Sequence, residues 1–334
     1  MALKRQSNIE LCRIAAILLV LIVHTTRRSL GNDVSFGILL LSGFSIIGVN
    51  VFVLITGYFS ARPKKLSLAN LLFICFFWMV LRLIINLLSG QPIDVSFLFF
   101  LSKSTWFIPC YLGLLFFAPF LNEYCLVASK RQLVGGVLFI FLILTWFDWV
   151  KPVSDIALGS LSGYSLLSFM AMYLLGRTIR LHGLPNWFRK GSPFIYITCA
   201  LVMALMALLM QRIGHQARVG WCFAYNNPIV IVSSVAFFSC FTGLKLKDSE
   251  AINHISKSTL SVLLGHFSIM PLYCAQFRYL YDNYTGALQV FYWSFSVIVT
   301  FIACVIVDQF RLFFYKKTIE PIFKSKVKNN ELFE

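Results

Sequence analysis

The chain has 334 residues, of which 59% are hydrophobic and 34 are phenylalanine, and its formal net charge is +16. Ordinary soluble domains are roughly 45–50% apolar. The excess here falls in long blocks, which argues against a soluble protein and predicts a polytopic membrane protein. The positive charge does not indicate nucleic-acid binding, because the basic residues form short clusters between the apolar blocks, as the positive-inside rule describes.

Residues 8–28 predict the first membrane helix, although their uninterrupted apolar run, 14–23, is only about half of the roughly 20 residues that a span needs. To span, the helix must include Glu10 and Arg13 at one end and His24 at the other. Arg13 and His24 share one helix face and lie roughly 16 Å apart along the axis. Ionisable groups inside membrane helices are costly and indicate a functional site. The alternative is that Arg13 snorkels to lipid phosphates and His24 lies in the headgroup layer.

Apolar runs of about 18 residues or more predict ten membrane helices. The expected spans are residues 8–27, 36–59, 66–89, 105–122, 132–150, 159–178, 192–213, 226–244, 257–276 and 287–313. Residues 95–101 are too short to span and predict an interfacial or re-entrant segment. The predicted fold class is all-α, a polytopic membrane helical bundle. We expect one membrane domain at residues 1–315 and a short basic cytoplasmic tail at 316–334.

The loop charges predict the orientation of the bundle. Most of the 29 lysine and arginine residues fall in one set of alternate loops, and that set includes both ends of the chain. Because cytoplasmic loops are enriched in these residues, we expect both termini in the cytoplasm. This orientation places Arg13 at the cytoplasmic end of the first helix and His24 at its external end.

Further polar residues lie inside the predicted spans. We expect Glu10 toward the cytoplasmic side, Arg82 toward the external side and His266 near the middle of the ninth span. Local pairing, such as Asp308 with Arg311 three residues later, explains individual residues. A water-filled cavity through the bundle explains the whole set better.

Few motifs indicate a particular chemistry. His24 suits general-base catalysis, because an imidazole titrates near neutrality. The basic loop RPKK at residues 62–65 is the nearest feature to a phosphate site, although by composition it is more often a cytoplasmic anchor. Trp106 fits a membrane-interface aromatic belt better than a pocket wall. The nine cysteines lack CxxC spacing and predict no metal, haem or disulfide framework.

The stretch IELCRIAAILLVLIVH resembles the N-terminal signature of the bacterial integral-membrane acyltransferases of acyltransferase family 3. That family includes O-acetyltransferases of O-antigens and other surface polysaccharides. Its signature is an arginine, ten intervening residues and a histidine, often with an acidic residue three before the arginine; Glu10, Arg13 and His24 match. Three further segments resemble the family: GVNVFVLITGYF, with Thr56 and Gly57 where Ser-Gly is usual, STWFIPCYLGLLFFAPFL, and STLSVLLGHFSIMP.

The resemblance implies an O-acyltransferase, and most simply an O-acetyltransferase, of the bacterial cytoplasmic (inner) membrane. It implies transfer from cytoplasmic acyl-CoA to a hydroxyl of a cell-surface or lipid-linked glycan. We expect acetyl-CoA or another acyl-CoA as donor substrate, no permanently bound cofactor, membrane lipids as partners and no nucleic acid. The expected site residues are His24 and Arg13 as catalytic residues, Arg13, Arg62 and Lys65 as coenzyme A contacts, and Glu10, Arg82, Trp106 and His266 as substrate or cavity residues.

The sequence also departs from the family pattern. Family members often have two arginines three residues apart after the second helix, and here Arg62 and Lys65 have that spacing. Lysine keeps the charge but loses bidentate phosphate geometry. Some relatives carry an extra extracytoplasmic domain; we find none in these residues and expect the enzyme to act alone or to hand on its acyl group.

Two other classes of function remain as alternatives. A transporter or flippase for a lipid-linked sugar or small metabolite also fits ten spans with buried charges. Transporters often show inverted repeats and helices broken at corresponding positions, and the sequence shows no such pair. A structural scaffold fits poorly, because ionisable residues lie inside the spans.

Overall fold

The computed structural model describes residues 5–31, 33–90, 105–150 and 161–330, and their regular secondary structure is entirely helical. The helices are α1 (Ser7–Thr25), α2 (Arg27–Leu30), α3 (Phe36–Ser45), α4 (Gly48–Tyr58), α5 (Lys65–Leu88), α6 (Phe107–Val127), α7 (Lys130–Val150), α8 (Leu166–His182), α9 (Asn186–Arg212), α10 (Gln216–Cys222), α11 (Pro228–Thr242), α12 (Glu250–Ile255), α13 (Thr259–Ser268), α14 (Met270–Asn283) and α15 (Gly286–Asn330). Short 3₁₀ turns lie at Leu161–Gly163 and Ser256–Ser258.

The all-α membrane bundle is confirmed. In the described part of the chain, six candidate spans are long and apolar enough to cross a membrane: Ser7–Leu30, Phe36–Tyr58, Lys65–Leu88, Phe107–Val127, Asn186–Arg212 and Gly286–Ile322. The pair Glu250–Ser268 and Met270–Asn283, bent by 76°, makes a seventh if it counts as one span. The count of ten stays a prediction, because α7 is not among these candidates and α8 and α11 have only 17 and 15 residues. The segment expected at 95–101 lies outside the described residues.

The outer helices keep large apolar side chains exposed. Phe76 on α5, Phe139 on α7 and Phe291 on α15 are 55%, 62% and 61% exposed. Exposed apolar surface of this extent is unusual for a soluble monomer. Lipid tails can cover these rings without cost, so these faces fit contact with the hydrocarbon core.

The first helix lies at the centre of the bundle. Helix α1 packs against α3, α4, α11, α13 and α15. Its side chains Cys12, Ala16, Ile17 and Leu21 are completely buried. The stretch that carries the predicted site therefore has protein, not lipid, on several sides.

Helices α4 and α8 approach each other through two glycines. A Cβ on Gly57 would overlap the backbone carbonyl of Tyr173, and one on Gly176 would overlap that of Leu54. Small residues permit such close backbone contact between membrane helices. Gly57, part of the family-like second-helix segment, is thus required by packing.

Two features near the end of the chain position the rest of the site. Helix α13 packs between α1, α5 and α15, and its last turn carries His266. The chain bends after Ser268, where Pro271 in the first turn of α14 has no N–H to continue the helix. Helix α15 runs through residue 315, so the tail expected at 316–334 begins within a helix, and this domain boundary stays a prediction.

Candidate functional site

A cavity of about 460 Å³ lies at the His24 end of α1. His24 lies in the last turn of the helix, and Arg28 lies beyond a break at Thr26. The aromatic rings of Tyr164 and Tyr225 line the same space, with centroids 4.9 Å apart. No hydrogen bond among the described residues involves a ring nitrogen of His24, and the residue lines the cavity, where it can bond to a ligand.

His266 lies beside His24, with ring centroids 5.2 Å apart. It is fully buried, and its Nδ1 lies 2.9 Å from the backbone carbonyl oxygen of Val262. Because a carbonyl only accepts, this contact assigns the proton to Nδ1 and leaves a lone pair on Nε2. That Nε2 has no partner among the described residues, so a proton acceptor lies next to His24.

Arg82 forms a hydrogen bond to the backbone next to this histidine pair. Its Nη1 donates to the backbone carbonyl of Phe267, 3.0 Å away, at the end of α13. The Phe267 ring contacts both histidines, at 5.2 Å from His24 and 4.4 Å from His266. Arg82 thus braces the backbone that presents His266, while it is not among the residues that line the cavity.

Trp106 lies directly behind the wall of the His24 cavity. Its ring centroid is 4.5 Å from Tyr164 and 5.8 Å from Tyr225, both lining residues, and 5.5 Å from Phe169. These contacts fix the position of the two tyrosines. The sequence allowed either a membrane-interface belt or a pocket wall for Trp106. Its contacts with the two lining tyrosines are those of a second layer of the pocket wall.

A second cavity, of about 480 Å³, lies at the Arg13 end of α1. Its described lining contains no acidic side chain and five basic ones: Arg5, Arg13, Arg62, Lys257 and Arg311. Glu10 is buried beside it, with Oε2 3.4 Å from Arg5 Nη1 and 3.9 Å from Arg13 Nε. One carboxylate thus faces two of the five cations, and the cavity keeps a strong excess of positive charge.

The structure separates the predicted pair Arg62 and Lys65. Arg62 lines the basic cavity, whereas Lys65 is exposed and lies outside that lining. A spacing of three residues puts two side chains on one face only within a helix. Helix α5 begins at Lys65, and the preceding Lys64 is extended, with ψ 150°. Arg62 therefore lies in the loop before the helix and does not share a helix face with Lys65.

A narrow cavity of about 90 Å³ adjoins the basic one. Arg13 lines both, while Phe52, Phe107 and Leu263 make the narrow one largely apolar. Leu263 precedes His266 by three residues on α13, so the two lie about one turn apart. The order along α1 and α13 is a basic cavity, an apolar constriction and then the histidine pair.

Several residues of the two cavities were not expected as site residues from the sequence. On the His24 side they are Arg28, Tyr164, Trp221 and Tyr225, and on the Arg13 side they are Arg5, Asn70, Lys257 and Arg311. Arg28 had a usable signal, since it follows His24 by four residues. Arg5 lies just before α1, and the remaining residues come from loops and helices that are distant in the chain and meet only through packing.

The fold and site define a multi-pass membrane protein with a polar cavity at each end of its central helix. Residues 6–308 match the family model described as Acyltransferase domain. The chain therefore belongs to acyltransferase family 3 and is a membrane acyltransferase, which confirms the resemblance seen in the sequence. No curated protein and no solved structure matches the chain.

Proposed function

We propose that this protein is an O-acyltransferase that takes an acyl group from cytoplasmic acyl-CoA and delivers it to a glycan hydroxyl at the external side. One observation carries the proposal. Helix α1 connects a cavity with five cations, at Arg13, to an aromatic cavity lined by His24, with His266 packed beside His24. A single buried helix thus carries one candidate group for the donor and one for the acceptor.

The basic cavity suits the donor, because coenzyme A carries several phosphate charges. Arginines bind phosphates through charge-assisted and often bidentate hydrogen bonds. Arg13 Nε is buried without a hydrogen-bond partner in the described structure, and a phosphate oxygen would satisfy it. Arg62 lies in an extended loop at the same cavity, where its side chain can follow the donor.

The distance between the cavities suits the shape of the donor. Arg13 and His24 lie roughly 16 Å apart along α1, which is comparable to an extended pantetheine arm. That arm is thin and carries few charges, so it fits the apolar constriction beside Phe107 and Leu263. The phosphates would stay among the cations while the thioester reaches the histidine end. In this arrangement Arg13 orients the donor and does not contact the reacting carbonyl.

His24 is the proposed general base. It accepts the proton of the acceptor hydroxyl as the hydroxyl oxygen attacks the thioester carbonyl carbon. The C–S bond then breaks, sulfur leaves as the coenzyme A thiolate, and the proton passes from His24 to that sulfur. His266, with its lone pair on Nε2, offers a hydrogen-bond acceptor beside His24 that would orient the His24 ring.

The His24 cavity suits a sugar acceptor. The C–H faces of a pyranose ring pack well on aromatic rings, and Tyr164, Trp221 and Tyr225 line this space. Arg28 adds donors for hydroxyl or carboxylate groups of a glycan. The acceptor would be a cell-surface or lipid-linked glycan, and the protein would lie in the bacterial inner membrane. Acetyl is the proposed acyl group, because the family that the sequence resembles includes O-acetyltransferases of surface polysaccharides.

The transporter or flippase alternative receives less support. Both cavities have polar linings that would suit a transported molecule, but the family match supports group transfer. We therefore retain acyl transfer as the single proposal.

The orientation follows from the loop charges, and it can be tested separately. Lys64 lies in the exposed basic loop between α4 and α5. A Lys64→Cys variant should react with a membrane-impermeant maleimide only after the membrane is opened. Reaction in intact cells would place the basic cavity outside and would exclude cytoplasmic acyl-CoA as its ligand.

The proposed activity is tested by NMR of the surface polysaccharide from cells with and without the protein. Loss of an O-acetyl signal on deletion, and its return on complementation, is the expected result. A succinyl or other acyl signal in its place would indicate a different acyl-CoA donor for the same type of reaction. An unchanged polysaccharide and unchanged lipid-linked precursors would contradict the proposal.

A further inference from the structure

Arg311 on α15 is an unusual residue within the basic cavity. Its side chain is 1% exposed, and it is among the largest fully buried side chains of the described protein. A buried guanidinium is costly unless its charge and its donors are satisfied. The sequence predicts only a local pair with Asp308, one turn earlier. The structure gives Arg311 a second partner on another helix and a position in the cavity wall.

Two contacts hold the guanidinium in place. Nε donates to Oδ1 of Asp308 at 2.5 Å, and Nη1 donates to Oδ1 of Asn70 on α5 at 2.9 Å. A guanidinium has five N–H donors in one plane. Two are used, and three remain, both hydrogens of Nη2 and one of Nη1. In the described structure no protein group accepts them, and the residue lines the cavity with Arg13 and Arg62.

The remaining donors, on Nη2 and Nη1, suit the oxygens of a phosphate. Nη1 and Nη2 together form the terminal edge of the fork, which can bond two oxygens of one phosphate. Lysine cannot present such an edge. Arg311 is also held by two side chains, whereas Arg62 is exposed in a loop, so less rotational freedom is lost when Arg311 binds a ligand.

We propose that Arg311 is a phosphate-binding residue of the acyl donor site, with Asn70 and Asp308 as the residues that position it. The proposal rests on the proposed function, because it assigns the anion in this cavity as the phosphates of acyl-CoA. It also gives the site a rigid arginine, which the exposed Lys65 does not provide. A purely structural ion pair between α5 and α15 is the competing explanation.

Two donors distinguish these explanations. Acetyl-CoA carries phosphates, and acetyl-pantetheine presents the same thioester without them. In purified protein, kcat/KM for acetyl-CoA divided by kcat/KM for acetyl-pantetheine is a ratio that measures what the phosphates contribute. Arg311→Lys should lower that ratio about 10-fold or more, through KM for acetyl-CoA, and should leave acetyl-pantetheine unchanged. An equal loss for both donors, or no loss for either, would overturn the proposal.

Matched variants guard against a folding defect. Asn70→Ala keeps the charge of Arg311 and removes one of its two supports, so it should lower the ratio in the same direction but less. Arg131→Lys, at an exposed position on α7 outside both cavities, should leave the ratio unchanged. If Arg311→Lys does not fold, an Asn70→Ala variant with an unchanged ratio overturns the proposal by itself.

A binding measurement separates this proposal from the proposed function. Coenzyme A should raise the thermal unfolding temperature of the detergent-solubilised protein, and Arg311→Lys should abolish most of that rise. If the protein transfers no acyl group from acyl-CoA, the proposed function fails, yet the shift by coenzyme A or inorganic pyrophosphate still tests Arg311. No shift with either ligand, or an equal shift in Arg311→Lys, would overturn the assignment of Arg311.

Discussion

The imidazole rings of His24 and His266 lie side by side, with centroids 5.2 Å apart, although one is on α1 and the other on α13. His24 faces a cavity, while His266 is fully buried and bonds to its own helix through Nδ1. One histidine is therefore accessible to a substrate, and the other is held in a fixed orientation behind it. This relationship supports separate roles for the two residues.

The first prediction concerns His266. Replacement by phenylalanine fills the space but removes the acceptor at Nε2, so kcat should fall about 10-fold while KM for acyl-CoA stays unchanged. His266→Gln, which retains a polar acceptor, should keep more activity than His266→Phe. Steady-state kinetics on purified protein gives both values. Full activity of His266→Phe would show that the histidine pair has no catalytic use.

The second prediction separates Arg62 from Lys65. Arg62 lines the basic cavity and Lys65 does not, so Arg62→Ala should raise KM for acyl-CoA about 10- to 100-fold, the value of a lost charge-assisted hydrogen bond. Lys65→Ala, three residues away, serves as the matched control and should leave KM within about twofold. The opposite order would mean that the loop binds the donor in another conformation.

The third prediction concerns the packing of α4 on α8. Gly57→Ala places a Cβ against the Tyr173 carbonyl, so α4 or α8 must shift. Overpacking of this kind costs about 1–3 kcal/mol and should lower the thermal unfolding temperature by several degrees. Gly135→Ala on α7 is the control, because open space surrounds that position, and alanine there should be neutral or stabilising. Equal unfolding temperatures for the two variants would contradict the close contact.

The part of the site on one helix could be predicted from the sequence, because it depends on local geometry alone. The short apolar run at 14–23, with Arg13 at one end and His24 at the other, places both residues on α1 without any tertiary information. Gly57 was likewise found through its segment, although its partner Tyr173 was not. The length of an apolar run and the polar residues at its ends are therefore sufficient to place Arg13 and His24 on one helix.

What the sequence could not give depends on contacts between distant helices. His266 was expected at mid-depth, but its place beside His24 results from the packing of α13 on α1. Arg311 was expected to pair locally with Asp308, and only the approach of α5 reveals Asn70. Lys65 was grouped with Arg62 because family members often have two arginines at that spacing, whereas only Arg62 lines the basic cavity and α5 begins at Lys65.

The central claim is that His24 is the base that accepts the proton of the acceptor hydroxyl. The most direct test compares glycan acylation by NMR in cells that express the parent protein or His24→Ala at equal membrane levels. A general base contributes about 10²- to 10⁴-fold to rate, so the O-acyl signal should fall to the level of the deletion strain. Coenzyme A should still raise the unfolding temperature of His24→Ala, because the basic cavity remains. Normal acylation by His24→Ala would contradict the account.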